Sequence, residues 1–412
     1  MDAIYASAQL TLVAAVGRDS SYGLPGVSSA RNSPVRQATV GSITLTFHPP
    51  ACGWSVAHSP WFSRAWTLQE GYLSRRRLYF TDSEVLFVCN GLQHPHQDVT
   101  SDRYSGMKYL MGTIPNRPSQ PHQSNLENAL EMLTQYSARK ISYDSDALSA
   151  VTGILNHWNT GEHPVGSIWG VPFVELLGKT FHSKLCIHWK QRKPTTRRRD
   201  FPSWSQLGWH GPVEFSAIST QYTTTRDVVA KLFARAADLR TAKDLQHDAK
   251  LLVITARVFR FPIVHIAWPQ SKPGPNLDPE EVKPQPLLPI TDDTGKTSMS
   301  HNLYVPIKWD TVELTATEST SALCAITLWE FVPVQTYKRC GIIILRSYAG
   351  YYERIGFAEY ESARRSRNFD EVLDGFRNTK VMPPDDVHHW APKGNYEVRW
   401  IKEAKEQTIT LG

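Results

Sequence analysis

LTLVAAV, residues 10 to 16, constrains the fold more than any other stretch of this chain. It is a short continuous apolar run, stopped by Gly17. A run of this length without alternation suits a strand buried on both faces, as in a parallel sheet. The residues before it, Asp2 to Gln9, suit the last turns of a helix. The chain therefore opens in the middle of an α/β unit. A strand buried on both faces needs neighbours on both sides, and nothing upstream in the sequence supplies them. The expectation is that an N-terminal part of the unit is missing.

Further along, residues 18 to 58 read as loop with one strand, SITLTF (42 to 47), alternating as a half-buried strand does. In HSPWFSRAWTLQEGYLS, Ser59 is a suitable N-cap and Pro60 suits the first helical position. Trp61, Ala65, Leu68 and Tyr72 then recur at helical spacing and form a buried stripe. Gly71 weakens that helix near its end. LYF and EVLFVC flank Thr81-Asp82-Ser83 and predict a β-hairpin. After a loop from about 91 to 123, Ser124 and Glu127 make a capping box for a helix with Leu126, Ala129, Leu130 and Leu133 on one face. SDALSAVTGILNHWNTG gives a second helix, lined by Leu148, Val151, Leu155 and Trp158, with Gly161 as its stop. A short helix is predicted around 172 to 177. FPSWSQLGWHG (201 to 211) is aromatic and turn-rich. From about 250, LLVITARVFRF, CAITLWEFVPV and CGIIILRSY are strands. Residues 269 to 300 are proline-dense and predict an extended, mobile insertion. The stretch from 362 holds an Arg-rich segment, one helix and a final strand.

The 412 residues leave room for two or three domains. Apolar residues at 41% and charged residues at 20% exclude wholesale disorder. A net charge of +6 is too mild to argue for a nucleic-acid partner. The short basic runs Arg75-Arg76-Arg77 and Arg197-Arg198-Arg199 suit solvated faces. The five cysteines are scattered and lack a CxxC pair, as free thiols in a reducing compartment do. No run is long enough to span a membrane. Asp2 stands where a signal peptide carries positive charge. A cytoplasmic setting follows.

The chemical motifs mostly fail. Gly178-Lys179-Thr180 and Gly295-Lys296-Thr297 lack the earlier glycine of a phosphate-binding loop, having Phe173 and Ile290 there. No G-x-S-x-G or H-E-x-x-H is present. Cys89, His94 and His96, with His388-His389 far away, lack an evident fourth ligand, so a strand-end thiol and loop histidines account for them and no metal is expected. No cofactor is called for. Glu70 leaves two readings open. A carboxylate beside tryptophans can have a raised pKa and act as acid or base. It can equally pair with Arg64 or with an arginine of 75 to 77.

Several stretches coincide, in order, with one family. IYASAQLTLVAAVG followed by GLPGVS, then SRAWTLQEGYLSRRRLYFTDSEVLFVC, then YSARKISYDSDALSAVTGIL, RRRDFPSWSQLGWHGPV and YYERIGFAEY resemble blocks of the fungal heterokaryon-incompatibility (HET) domain proteins. Together they span most of the chain, and the second block is the most specific. It supplies Arg64, Trp66, Gln69 and Glu70 as motif residues; the third supplies Arg139 and Asp146. Two departures stand out. The family's earlier blocks are absent, which agrees with the unpartnered LTLVAAV strand and implies a truncated member. Ser205-Gln206-Leu207 stands where the family more often has Ser-Trp-Ala.

The resemblance implies an α/β fold: part of a parallel-sheet HET domain over 1 to 100, remotely similar to Toll/interleukin-receptor domains. A helical connector over 101 to 211 and a β-rich region over 212 to 412 follow. It implies nonself recognition and cell-death signalling in fungi through a protein partner, impaired by loss of the N-terminal blocks. The enzymatic alternative is a nicotinamide-nucleotide hydrolase with Glu70 as its catalytic carboxylate, since some Toll/interleukin-receptor relatives cleave NAD. The remaining alternative is a non-functional remnant.

Overall fold

In the computed structural model of the chain, the residues described are 1–31, 36–47, 52–90, 125–160, 164–176, 182–215, 250–266, 285–290, 303–332, 337–362 and 404–412. The chain divides into two compact units, Met1–Pro172 and Phe173–Gly412. The first is mixed α/β around a small, partly parallel sheet, and the second is β-rich.

The first unit begins with helix α1 (Asp2–Ser7) and strand β1 (Thr11–Ala14). The hairpin β2 (Arg36–Val40) and β3 (Ile43–Phe47) and the helices α2 (Cys52–Ala57) and α3 (Thr67–Leu73) follow. Strands β4 (Arg76–Phe80) and β5 (Val85–Cys89) form the second hairpin, closed by the Thr81 amide donating to the Glu84 carbonyl at 3.0 Å. Helices α4 (Asn125–Ser137) and α5 (Asp146–Trp158) complete the unit with the short strand β6 (Gly166–Ile168). The sheet runs β1-β4-β5, with β1 parallel to β4 in the register Val13↔Tyr79.

β1 is not buried on both faces. Val13 and Ala15 enter the core with Val56, Trp61, Tyr79 and Val88, while Leu12 is 58% exposed. Among the described residues its one strand neighbour is β4, and its alternating side chains divide between a packed face and an exposed one. Leu12, Leu78 and Phe87 lie opposite one another across the three strands on that open face. The β2–β3 hairpin also departs from expectation, because Ile43 and Leu45 are exposed rather than half-buried. The Ser124 end of the capping box and the side chain of Glu127 lie outside the described residues, as do His94, His96, His388, His389 and both Gly-Lys-Thr tripeptides.

The helix predicted from Ser59 starts eight residues later, at Thr67. The stripe itself holds: Trp61, Ala65, Leu68 and Tyr72 are all buried. The delay has a visible cause. The Ala65 amide donates to the Lys140 carbonyl at 2.8 Å and the Lys140 amide to the Ser63 carbonyl at 2.7 Å, which takes that amide and that carbonyl out of helical bonding. Ser59 Oγ still accepts from the Phe62 amide at 3.2 Å, capping a turn rather than a helix.

The helix predicted at 172 to 177 is strand β7 (Val171–Leu176), whose residues from Phe173 on belong to the second unit and pair antiparallel with β8 (His182–Leu185). Valine, proline and phenylalanine in quick succession favour the extended form over a helix of six residues. β9 (Trp189–Gln191) and β10 (Val213–Phe215) pair around the FPSWSQLGWHG segment, whose Trp204 and Trp209 are buried. The large sheet contains β11 (Leu252–Pro262), β12 (Val264–Ile266), β13 (Gln285–Ile290) and β14 (Leu303–Trp309). After the short helix α6 (Ala316–Thr320) come β15 (Ser321–Val332), β16 (Tyr337–Tyr348), β17 (Tyr351–Ser362) and β18 (Lys405–Leu411). Its order is β12-β13-β14-β17-β16-β15-β11-β18, and β18 also meets β17 at Leu411↔Tyr352. Strands β17, β16, β15, β11 and β18 thus curl into a closed ring. Ile342, Ile343, Ile344 and Leu345 are buried on both faces of β16. The proline-dense insertion is not wholly an excursion, since its residues 285 to 290 are β13, placed between β12 and β14.

Candidate functional site

The residues singled out in the sequence converge in the first unit. α3 lies against α5, and the loop at Arg139 and Lys140 closes over the turn that precedes α3. Trp66 Nε1 donates to Asp146 Oδ2 at 3.1 Å, joining a residue of the second block to one of the third. Arg139 donates to the Arg64 carbonyl at 3.2 Å and to Thr67 Oγ1 at 3.3 Å, and its guanidinium sits 4.2 Å from the centre of the Phe62 ring. Desolvation brings the Arg139 pKa down to about 10, against the opposing pull of Tyr79, Glu70 and Tyr136. The Arg64 side chain itself is exposed; its contribution to the junction is its backbone.

Gln69 makes the most specific contact. Its Nε2 donates to the Ser149 carbonyl at 2.9 Å, and its Oε1 accepts from the Gly153 amide at 3.1 Å. Ser149 and Gly153 are four apart on α5, the pair that an α-helix joins by its own backbone bond. The Gln69 amide therefore spans one rung of the α5 ladder. The space for it comes from Gly153, where an added Cβ would lie 2.2 Å from Gln69 Oε1 and 2.7 Å from Asp2 Cβ. Neither Ser149 nor Gly153 carries a signal of this in the sequence beyond a glycine inside a helical pattern, which points to close packing.

The Glu70 carboxylate bonds to the turn before α3 rather than to α5. Its Oε2 accepts from Trp61 Nε1 at 2.9 Å. The Tyr5 hydroxyl faces the same carboxylate; its pKa is raised by burial first, then by the charge and hydrogen bond of Glu70. The expected ion pair is not the one formed. Among the described residues, neither Arg64 nor Arg75, Arg76 or Arg77 lies within ion-pair distance of Glu70. Arg75 and Arg76 are exposed, and the buried Arg77 donates instead to the Gly71 carbonyl and to Asn90 Oδ1 at 2.7 Å. Gly71 is in the last turns of α3, where carbonyls lack helical partners and the helix end is negative. That accounts for a buried guanidinium held without a carboxylate. Trp61 crosses Gly71 so closely that a Cβ there would meet the indole at 2.9 Å. Trp61 also packs edge-on to Tyr79 at 5.5 Å.

What this arrangement offers chemically is a half-buried carboxylate fixed by one neutral donor, the Trp61 indole N–H, with the Tyr5 ring nearby. Among the described residues no group of three or more His, Cys, Asp or Glu side chains is placed to hold a metal, and no helix is long and apolar enough to cross a membrane.

Residues 1–70 match the family model of the heterokaryon incompatibility protein (HET). No curated protein and no solved structure matches the chain. The matched residues end at Glu70, inside α3, so α5, which receives both Trp66 and Gln69, lies beyond them. The structural unit that houses the matched residues is more than twice as long as the match, reaching Pro172.

One half-buried titratable group borders the junction. His157 stacks edge-on with Tyr72 at 5.9 Å and with Trp158 at 6.2 Å, and burial lowers its pKa below the usual 6.5. A lowered histidine pKa means that the unfolded chain binds the proton more readily. Its contribution is therefore fully present above pH 6.5 and is lost as pH falls through 6.5 towards the folded value. The melting temperature of the first unit should fall between pH 7.5 and 5.5 by less in His157→Phe than in the parent. Equal slopes in the two proteins would remove His157 from the account.

Proposed function

We propose that this chain acts in heterokaryon-incompatibility signalling, that is, in nonself recognition leading to cell death in the fungal cytoplasm, through a protein partner rather than by catalysis. The HET match over residues 1–70 supports the family level of this reading. The observation that carries the rest is the use to which the motif side chains are put. Trp66, Gln69, Arg139 and Asp146 are all engaged with one another's segments. A motif consumed in this way orders a surface. The open sheet face with Leu10, Leu12 and Phe87 exposed supports a partner of apolar character. The Toll/interleukin-receptor-like ancestry belongs to the same reading and rests on the resemblance alone.

Glu70→Gln tests it. The amide keeps an acceptor for Trp61 but weakens a charge-assisted bond. The expected result is a lower melting temperature and cell-death activity reduced in step. Unchanged stability with activity abolished would sink the structural role.

A second reading is favoured by one contact, the carboxylate of Glu70 held by the indole N–H of Trp61 and facing Tyr5. A carboxylate so placed can stabilise the positive charge that develops on ribose as nicotinamide leaves. The purified chain incubated with NAD should then release nicotinamide, and Glu70→Gln should stop it. No release at high protein concentration eliminates this reading.

A further inference from the structure

We propose that α3 and α5 form a reversible latch, in which Gln69 can leave α5 without stranding any backbone group of that helix. The Gly153 amide and the Ser149 carbonyl, which Gln69 bridges, are four residues apart on one helix. When Gln69 withdraws, they have each other at the ordinary helical distance. The usual penalty for opening a buried polar contact is an unpaired donor or acceptor. α5 escapes it by construction. Gln69 escapes it too, since its amide passes into water.

Apart from the backbone bonds of Ser63 and Ala65 to Lys140, which hold the start of the segment, the other polar contacts between α3 and α5 open readily. Trp66 and Asp146 are only partly buried, so their bond exchanges for bonds to water. The bonds of Arg139 end on the carbonyl of the exposed Arg64 and on the hydroxyl of the buried Thr67, which keeps its own bonds to the Trp61 and Arg64 carbonyls when Arg139 leaves. At the other end, the Tyr72 hydroxyl and Trp158 Nε1 are buried without a hydrogen bond of normal geometry, while their rings lie 6.3 Å apart. Opening gives both of them a partner. Against this stands the apolar contact of Leu68 and Tyr72, which sets the closed state as the resting one. The latch is thus a two-state element: closed by apolar burial, and free of orphaned α5 backbone groups in either state.

Hydrogen exchange on the full chain tests it. In the parent protein under mild denaturant, the segment covering 64 to 73 should open at lower denaturant than the segment covering 149 to 155. In Gln69→Ala, amides of 64 to 73 should exchange faster by about tenfold or more, while the Gly153 amide keeps its protection, because α5 closes on itself. The proposal is overturned if 149 to 155 loses protection together with 64 to 73, in either protein. It is equally overturned if Gln69→Ala leaves the exchange of 64 to 73 unchanged. Should Gln69→Ala fail to fold, the denaturant series on the parent decides alone.

Discussion

Gly153→Ala should destabilise the first unit by about 2–4 kcal/mol, the opposite sign from a glycine-to-alanine change in an unconstrained helix, which gains about 1 kcal/mol. The new methyl would stand 2.2 Å from Gln69 Oε1 and 2.7 Å from Asp2 Cβ. Gln69 is buried, so its displaced amide loses both α5 partners before it reaches water, at about 1–3 kcal/mol per unpaired group. α1 must shift as well, because Asp2 is on it. The sign alone separates the two accounts, and chemical denaturation of the parent and the variant reads it directly. Gln69→Ala combined with Gly153→Ala should recover much of the loss, since it removes the colliding side chain and leaves α5 with an alanine it favours. A double variant no more stable than Gly153→Ala would show that the obstruction lies with Asp2 and not with Gln69.

The pattern of what could be read beforehand follows from the range over which each signal acts. The stripe Trp61, Ala65, Leu68 and Tyr72 is legible because burial depends on local periodicity, and all four are buried. Where the helix begins is not legible, because the Lys140 backbone, far along the chain, captures residues 63 to 65. The same limit hid the partners of Glu70 and Gln69. Nearby arginines made an ion pair the natural expectation for Glu70, yet geometry gives it an indole N–H nine residues back. Ser149 and Gly153 look like ordinary helix positions until α3 is laid against them. β1 misled for another reason. A continuous apolar run suits a strand covered on both faces, but among the described residues only the Val13 and Ala15 face of β1 is packed, and Leu12 is on the other. Residues 172 to 176 were ambiguous in the usual way of short apolar runs, which periodicity cannot divide between helix and strand.

Arg354→Met should be the most damaging single change in the second unit, at about 3–5 kcal/mol, because it strands a buried carboxylate. Arg354 lies in the YYERIG stretch and is fully buried, as is Asp310, whose Oδ2 accepts from Arg354 Nε at 2.8 Å. Neither was singled out in advance, for arginine and aspartate almost never sit fully inside a fold unless paired, and 44 residues separate them. The guanidinium also donates to the Ile187 carbonyl at 2.7 Å and to the Trp189 carbonyl, with its carbon 3.4 Å from the centre of the Trp189 ring. One side chain thereby joins β17, the Asp310 turn after β14 and the chain leading into β9. Its backbone amide donates to Ser203 Oγ at 2.9 Å, which brings in the FPSW segment. Burial dominates both ionisations, pushing the Asp310 pKa up and the Arg354 pKa down, and the attraction between the two opposes each shift. Burial thus outweighs the attraction at both groups, and removing one member leaves the other with its desolvation cost unopposed. Asp310 Oδ1 has no hydrogen-bond partner in the structure, so it cannot compensate locally. Near-ultraviolet circular dichroism should lose the Trp189 contribution at temperatures where the parent retains it. Arg354→Met with Asp310→Leu replaces both charges by apolar bulk and should regain much of the stability, leaving only the Ile187 and Trp189 carbonyls unpaired. If the double variant is as unstable as Arg354→Met, the tie to those two carbonyls, and not the charge pair, is what holds the strands together.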